Sequence, residues 1–438
     1  MISVIFTLLT ECGSPPYPRV LHPQDSAMSF TITAVGMKKF MECAMSEALA
    51  YTQLIPIPDL SFELDLGITR INFILSDIKF ANLRVGNLNV DIPEGLPMSA
   101  GADDVDIELS LQWKFQQSSY PYLNDQGSGK VLLKGAAIRA VLEVNCDYVE
   151  CPGHLKVVVH RADLTFDKLQ ILLEGGSSWI YQSLIDLVIS AVESSLTDVI
   201  SNVIIQSIIQ IMNELMKSDG YFEPYQQYPD IIKDDRYTNG LVTHRGYMVV
   251  VFSGYVYSTA NYSDEFITSD KLIKRTDNLF NKQLTFEIAE AGFNNAFYIF
   301  HKYHDAYSKQ NSFKLTKAPT VTFYNVQAIL DVQIETTNGQ ILDLKLNGLT
   351  HIRQDTIKNK TGTATHNITQ IFFQFQIYEG EFEGANEVLE HINLQMQQAN
   401  YQIANTPFME LDKMDVVFDS KEKVLRIVGD NKENCKMT

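Results

Sequence analysis

The sequence is poor in cysteine, proline and glycine. Only 5 cysteines, 14 prolines and 23 glycines occur among its 438 residues. So few cysteines do not make a disulfide framework, and so little proline and glycine excludes extensive low-complexity linkers. The chain is instead 45% hydrophobic and 11% aromatic, which is enough apolar material for packed cores and excludes a disordered or fibrous protein.

Positive charge is also scarce. The chain has 35 Lys and Arg residues against 53 Asp and Glu residues, and its formal net charge is −18 at pH 7. This balance excludes a protein that wraps nucleic acid. It also excludes one that holds an anionic membrane by bulk charge.

Uninterrupted apolar runs of bilayer length are absent. The most apolar region, 180–216, contains Asp186, Glu193 and Asp198, so it is not a membrane helix. The shorter run Ile2–Thr10 resembles the apolar part of a signal peptide but lacks a basic start. The sequence therefore predicts a secreted or endomembrane-lumen protein, with a cytosolic protein or part of a larger assembly as the alternative.

Motifs for catalysis, cofactors and metals are missing as well. The sequence has neither a Gly-x-Ser-x-Gly elbow nor a His-Glu-x-x-His pair. The segment Gly127-Ser-Gly-Lys130 resembles the end of a phosphate loop, but the upstream glycine is absent and a strand, not a helix, follows it. It is interpreted as a hairpin turn, and the chain is predicted to be no enzyme and to hold no metal or cofactor.

Apolar periodicity organises the first half of the chain. A strand at 30–33 precedes a helix at 36–54, and residues 60–173 then alternate apolar with polar side chains, without helical segments between them. Consecutive strands of this kind predict a curved antiparallel meander. From Ser178 to Gly220 the apolar residues keep helical spacing, which predicts a helix of roughly 60 Å.

The second half repeats this order of elements. Residues 221–239 have no regular period and are interpreted as a linker. Beyond them the pattern predicts strands at 247–257, a helix that contains Phe286, Ile288 and Phe293, several further strands, a helix at 386–403 and a closing strand pair. The fold class is therefore α+β.

At this point the chain resembles the family of bactericidal/permeability-increasing and lipopolysaccharide-binding proteins and their lipid-transfer relatives. No single motif is specific, but the order and spacing of several are. They are Phe30-Thr-Ile-Thr-Ala-Val-Gly36-Met37, Ile57-Pro58-Asp59, Phe73–Phe80, Asn145–His160 and Phe408–Gly429.

The resemblance implies two tubular half-barrels, each a twisted antiparallel sheet wrapped around a long helix, that together form a boomerang. Each half would hold the acyl chains of phospholipid in an apolar pocket. The implied division is a possible leader at 1–27, an N-terminal lipid-binding domain at 28–220, a linker at 221–239, a C-terminal lipid-binding domain at 240–430 and a tail at 431–438.

Two features depart from the family pattern. Its disulfide joins the turn to the long helix, which has no cysteine here, so Cys146 and Cys151 would either pair with each other or both stay reduced. Acidic residues such as Asp91, Glu94 and Asp125 replace the family's basic tip, so lipopolysaccharide binding is not carried over.

The candidate site residues follow from the long helix and the sequons. The expected lipid-facing residues are Leu184, Leu187, Val188, Ala191, Ile204 and Ile208. Candidate glycosylation sites are Asn261, Asn359 and Asn367. The expected partners are phospholipid or another two-chain lipid and, transiently, a membrane. The alternative is a scaffold whose C-terminal pocket is filled by Phe372, Phe373, Phe375 and Tyr378 and which docks a protein partner.

Overall fold

A computed structural model describes most of the chain. The described residues are 26–51, 57–65, 70–118, 122, 124–147, 151–175, 202, 209–210, 213, 222–225, 228–239, 241–259, 282–303, 313–324, 327–358, 365–379, 385–398, 401–404 and 411–431. Within these ranges strands predominate over helices, as expected for this α+β chain.

The first half is a strand, a helix and a meander. Its elements are β1 Met28–Thr33, α1 Ala34–Tyr51, β2 Leu60–Asp65, β3 Arg70–Arg84, β4 Asn87–Asp91, β5 Met98–Gln117, β6 Asn124–Asp147, β7 His154–Thr165 and β8 Lys168–Glu174. Strands β2 to β8 form one antiparallel sheet in the order β2-β3-β5-β6-β7, with β4 paired to β5 and β8 paired to β6. The meander expected over 60–173 is confirmed.

The turn predicted near Gly127 is wrong. Residues 124–130 belong to β6 and pair with β5, where Gly127 lies opposite Trp113. A Cβ atom at Gly127 would lie 2.2 Å from the carbonyl oxygen of Glu174 and 2.8 Å from the indole nitrogen of Trp113. The glycine is therefore needed for close packing under the indole ring, not for a turn or a phosphate cradle.

The middle of the chain contains more strand than the sequence predicted. Its elements are β9 Phe222–Tyr225, β10 Tyr228–Asp234, β11 Val242–His244, β12 Tyr247–Phe252 and β13 Tyr255–Ser258. Strands β9, β10 and β13 form a small antiparallel sheet. The absence of a regular period over 221–239 thus does not mean irregular backbone, whereas a linker role for this segment stays a prediction.

The second half contains two further helices among its strands. Its elements are β14 Leu284–Ala289, α2 Glu290–Tyr303, β15 Phe313–Leu315, β16 Thr320–Tyr324, β17 Gln327–Thr336, β18 Ile341–Lys358, β19 Thr365–Glu379, α3 Ala385–Gln398, β20 Tyr401–Ala404, β21 Leu411–Asp419 and β22 Val424–Asn431. Phe286 and Ile288 lie in β14, so the predicted helix begins only at Glu290. The last predicted helix is also shorter, because 401–404 pair with β19 as a strand.

A central sheet joins the two halves. Its strand order is β11-β12-β1-β14-β22-β21, so β1 from the first half lies between β12 and β14 of the second. Met28, for example, pairs with Phe252 on one side and with Ile288 on the other. These contacts between residues distant in sequence make the sheet a shared element of both halves.

The central sheet also buries an ionic group. Arg426 of β22 donates a hydrogen bond from Nε to Glu287 Oε1 at 2.6 Å and another to Asp419, while Ser29 donates to Glu287 Oε2 at 2.9 Å. Burial alone would raise the pKa of the Asp419 carboxyl, but the hydrogen bond and charge of Arg426, together with hydrogen bonds from the backbone N–H groups of Glu422 and Lys421, outweigh burial and hold that pKa below its usual range. Strands β1, β14, β22 and β21 are thus linked by side chains as well as by backbone.

Candidate lipid-binding site

The inner face of the N-terminal sheet is a continuous apolar wall. Alternation places one set of side chains of β3, β5, β6 and β8 on the same face. Its buried members include Phe73, Leu75, Ile107, Leu109, Leu111, Trp113, Val131, Leu133, Ile171 and Leu173. Because neighbours in register come from adjacent strands, as Leu109 with Val131 and Val131 with Ile171, the wall has no polar gap between strands.

Trp113 fixes one end of this wall. Its indole Nε1 donates a hydrogen bond to the carbonyl oxygen of Glu174 at 3.2 Å, and its ring stacks on Phe73 with centroids 6.3 Å apart. The indole is 1% exposed, so its single polar atom is satisfied inside the wall. The indole N–H of Trp113 therefore leaves no unsatisfied polar group on an otherwise apolar surface.

The six residues expected to face lipid lie outside the described residues. Within their predicted helix the structure describes Asn202, Ile209, Gln210 and Asn213, all of them helical. The roles of Leu184, Leu187, Val188, Ala191, Ile204 and Ile208 therefore stay predictions.

Asn213 attaches its helix to the edge of the sheet. Its Oδ1 accepts a hydrogen bond from the backbone N–H of Val157 at 2.7 Å, and its Nδ2 donates to the Val157 carbonyl at 3.2 Å. Val157 is in β7, the last strand in the order of the sheet. One carboxamide therefore occupies the pair of backbone groups that a further strand would use.

The same contact occurs in the second half. Asn393 of α3 pairs with both backbone groups of Phe375 in β19, at 2.6 Å and 3.0 Å. Asn294 of α2 does so with Val321 in β16, at 2.7 Å and 3.1 Å. Sequence reasoning missed all three asparagines, because a polar residue on a helix carries no signal of which strand edge it will meet.

The second half is packed with aromatic rings. Phe293, Phe323, Phe373, Phe375 and Phe418 form a cluster, called here the phenylalanine cluster, whose contacting centroids are 5.0 to 6.3 Å apart. Phe373 and Phe375 are 0% and 1% exposed. Of the four residues expected to fill a C-terminal pocket these two lie in the core, while the side chains of Phe372 and Tyr378 are not described.

The predicted bridge between Cys146 and Cys151 is wrong. Cys151 is disulfide-bonded, whereas Cys146 is a buried thiol that takes part in no disulfide. The partner of Cys151 is thus one of the three cysteines whose side chains are not described. Strand pairing explains the mismatch: Cys146 faces Leu155 in the β6–β7 ladder, while Cys151 lies in the connection beyond it.

The remaining candidate residues concern modification and metals. Asn261 and Asn359 lie outside the described residues, and Asn367 lies in β19 opposite Thr356, with its side chain undescribed. Glycosylation at these positions stays a prediction. In the part of the chain that the structure describes, no cluster of His, Cys, Asp and Glu could hold a metal ion. No helix of that part is long and apolar enough to cross a bilayer.

Part of the chain is similar to a known protein family. Residues 44–212 match the model of the N-terminal domain of the LBP / BPI / CETP family. A putative BPI/LBP family protein of Arabidopsis thaliana is 25% identical over 188 residues. That match spans 41% of this chain and 37% of the relative, so the relative is covered for little more than a third of its length.

One solved structure agrees with this chain at the level of the fold. The crystal structure of lipopolysaccharide binding protein covers 93% of this chain and 99% of its own, with a TM-score of 0.56 and 15% identity. A takeout protein of Epiphyas postvittana covers 41% of this chain with a TM-score of 0.26. The resemblance predicted from the sequence is confirmed: residues 44–212 match the N-terminal domain of the LBP / BPI / CETP family, and the chain shares the fold of lipopolysaccharide binding protein.

Proposed function

We propose that this protein holds the acyl chains of phospholipid in an apolar pocket of its N-terminal half and passes the lipid between membranes. The observation that carries the proposal is the apolar wall of β3, β5, β6 and β8, with a helix attached at the edge of the same sheet through Asn213. A sheet that curves towards a helix leaves an apolar cleft between them.

The mechanism is burial of apolar surface without covalent chemistry. Each acyl methylene that moves from water into the cleft gains roughly 0.8 kcal/mol. Two chains of lipid therefore outweigh the cost of immobilising them, and bound lipid is retained through purification. The polar head group stays at the mouth of the cleft, where water can solvate it.

The proposal also concerns shape and location. The two halves that share the central sheet form the two arms of a boomerang, and the protein works in a secretory or extracellular compartment. The disulfide at Cys151 supports that location, since disulfides persist in oxidising compartments. A cytosolic site is the alternative, and it requires the cysteines to be reduced in the native protein.

A scaffold is the second candidate function, and the phenylalanine cluster favours it. Its five contacting rings pack in one large hydrophobic core, which suits a docking module better than a lipid pocket. In this variant of the proposal the tubular fold is kept for protein contacts, and neither half carries phospholipid.

Native mass spectrometry of the purified protein separates the two functions. Bound phospholipid on the wild type is expected, and replacement of Leu187 or Ile204 by Trp should reduce the lipid per folded protein. Leu172→Trp is the matched control, because Leu172 is 40% exposed and lies on the outer face of β8. Wild-type protein that carries no phospholipid and extracts none from vesicles would exclude lipid binding and leave the scaffold.

A further inference from the structure

Three segments that are distant in sequence meet at one end of the central sheet. The backbone N–H of Ala34, at the start of α1, donates to the carbonyl of Gly246 at 2.9 Å. The N–H of Gly246 donates to the Ile92 carbonyl at 2.8 Å, and that of Gly95 donates to Thr243 at 3.1 Å. Residues 34–39, 92–97 and 242–247 therefore form one continuous surface.

Each of these segments exposes a large apolar side chain. Val35 is 58% exposed, Leu96 is 61% exposed and Val242 is 38% exposed. Each lies at or beside a residue of the backbone contacts just described, so all three belong to the segments that meet at this end of the central sheet. Together these three exposed aliphatic side chains form an apolar patch, in contrast to single apolar residues scattered over a surface.

The charge of this surface is opposite to that of the protein. Lys38 and Lys39 follow Val35 by three and four residues on α1, which places all three on one side of the helix. Arg245 is exposed in the turn between β11 and β12. These three cations share the segments with a single carboxylate, Glu94, and the exposed Asp91 lies just outside them.

We propose that this helix–hairpin patch, formed by Val35, Leu96, Val242, Lys38, Lys39 and Arg245, docks on the surface of an anionic membrane. Aliphatic side chains enter the boundary between head groups and acyl chains, while cations are attracted to anionic head groups. Because the rest of the protein is strongly acidic, it is repelled by the same surface, so contact is confined to this end of the central sheet. Docking here extends the lipid-binding function proposed above and does not depend on it.

Flotation of the full chain with vesicles tests the proposal. The protein is expected to float with vesicles of phosphatidylcholine and phosphatidylserine and far less with phosphatidylcholine alone. The triple change Lys38→Gln, Lys39→Gln and Arg245→Gln should weaken binding by about five-fold for each cation removed. The double change Val35→Ser and Leu96→Ser should weaken it as well, and added salt should weaken wild-type binding.

A matched control changes the same kinds of residue elsewhere. In the second half, Lys314 of β15 and Lys317 of the connection to β16 are exposed, and Ile341 of β18 is 60% exposed. The variant Lys314→Gln, Lys317→Gln and Ile341→Ser should float like the wild type. Its melting temperature and those of the patch variants should match the wild type, which excludes misfolding as the cause of lost binding.

Several outcomes would overturn the proposal. Equal flotation with both vesicle types would show that the patch cations are not used. Equal loss of flotation in the patch and control variants would show that any surface cation can support vesicle binding. A patch that binds acidic proteins and not vesicles would identify a different occupant. Native mass spectrometry of the same variants keeps the two proposals apart, because patch variants that lose flotation should keep their bound lipid.

Discussion

The carboxamide of Asn213 pairs with both backbone groups of Val157, accepting from its N–H at 2.7 Å and donating to its carbonyl at 3.2 Å. Asn393 and Asn294 repeat this contact with Phe375 and Val321. In each case a helix is fixed to a strand position that pairs with a strand on one side only, among the residues that the structure describes. The contact is thus a shared way in which both halves close their sheet edges.

Replacement of Asn213 by Ala should destabilise the protein by about 1–3 kcal/mol, because it leaves a partly buried N–H and carbonyl without partners. Urea denaturation measures the change. Asn82→Ala is the control, since Asn82 is exposed on β3, and it should change the free energy of unfolding very little. Equal effects of the two changes would show that the paired hydrogen bonds contribute nothing to stability.

Replacement of Phe373 by Ala should destabilise the second half by about 3–5 kcal/mol, because it opens a cavity inside the phenylalanine cluster. Thermal or urea unfolding measures this loss. The lipid bound per folded protein, measured by native mass spectrometry, should not change. A loss of bound lipid with little loss of stability would instead place a lipid pocket in the second half.

Peptide mapping without reductant should recover Cys146 as a thiol and Cys151 in a disulfide. Its expected partner is Cys12, because the segment that follows Cys12 reaches Ser26 close to Cys151. The Ser26 hydroxyl is hydrogen-bonded to the Thr238 hydroxyl at 2.6 Å, and the N–H of the neighbouring Tyr237 donates to the carbonyl of Gly153 at 2.9 Å. The chain from Cys12 to Ser26 spans at most about 46 Å, which is ample.

Cys43 and Cys435 follow elements that leave the central sheet at the end opposite to Cys151. Helix α1, which carries Cys43, begins at the Thr33 end of β1, and β22 also ends there before Cys435. Cys151 lies by the Met28 end, roughly 20 Å away along β1, whereas a disulfide needs Cα atoms within about 7 Å. Recovery of Cys43 or Cys435 linked to Cys151 would contradict this placement. A link to Cys12 would also show that the predicted leader is retained from that residue onward.

The stability that Asp419 contributes should depend on pH. Burial would raise its pKa, but the hydrogen bonds from Arg426 and from the backbone of Glu422 and Lys421 lower it in the folded protein, so the contribution is full above the ordinary value of about 3.9. As the pH falls through the lowered folded pKa, the carboxylate is protonated and the contribution is lost. The difference in unfolding free energy between wild type and Asp419→Asn should therefore shrink below about pH 4. A constant difference from neutral to acidic pH would contradict this.

Small-angle X-ray scattering should give an elongated particle for the full chain. The radius of gyration should exceed the roughly 22 Å expected for a compact single domain of this length. The reason is that the two large sheets lie on opposite sides of a shared central sheet in the proposed boomerang. A radius near the compact value would contradict that shape.

The sequence alone predicted what depends on neighbouring residues. Strict alternation, as from Ile107 to Trp113, indicated strands with one buried face, and the helical spacing from Met37 to Met41 indicated α1. A strand's side chains point to opposite faces by local geometry, so burial of one face appears directly in the sequence. The order of these elements was also enough to suggest the family.

Tertiary structure decided what depends on residues distant in sequence. Gly127, predicted to lie in a turn, is a strand residue because it pairs with Trp113. Phe286, predicted to lie in a helix, belongs to a sheet because β14 pairs with β1 and β22. The cysteine pairing and the sites of Asn213 and Asn393 were likewise invisible, because no local pattern states which strand edge a side chain will meet. These features arise only when segments separated by tens to hundreds of residues compete for the same hydrogen bonds, and that competition is settled by the whole fold.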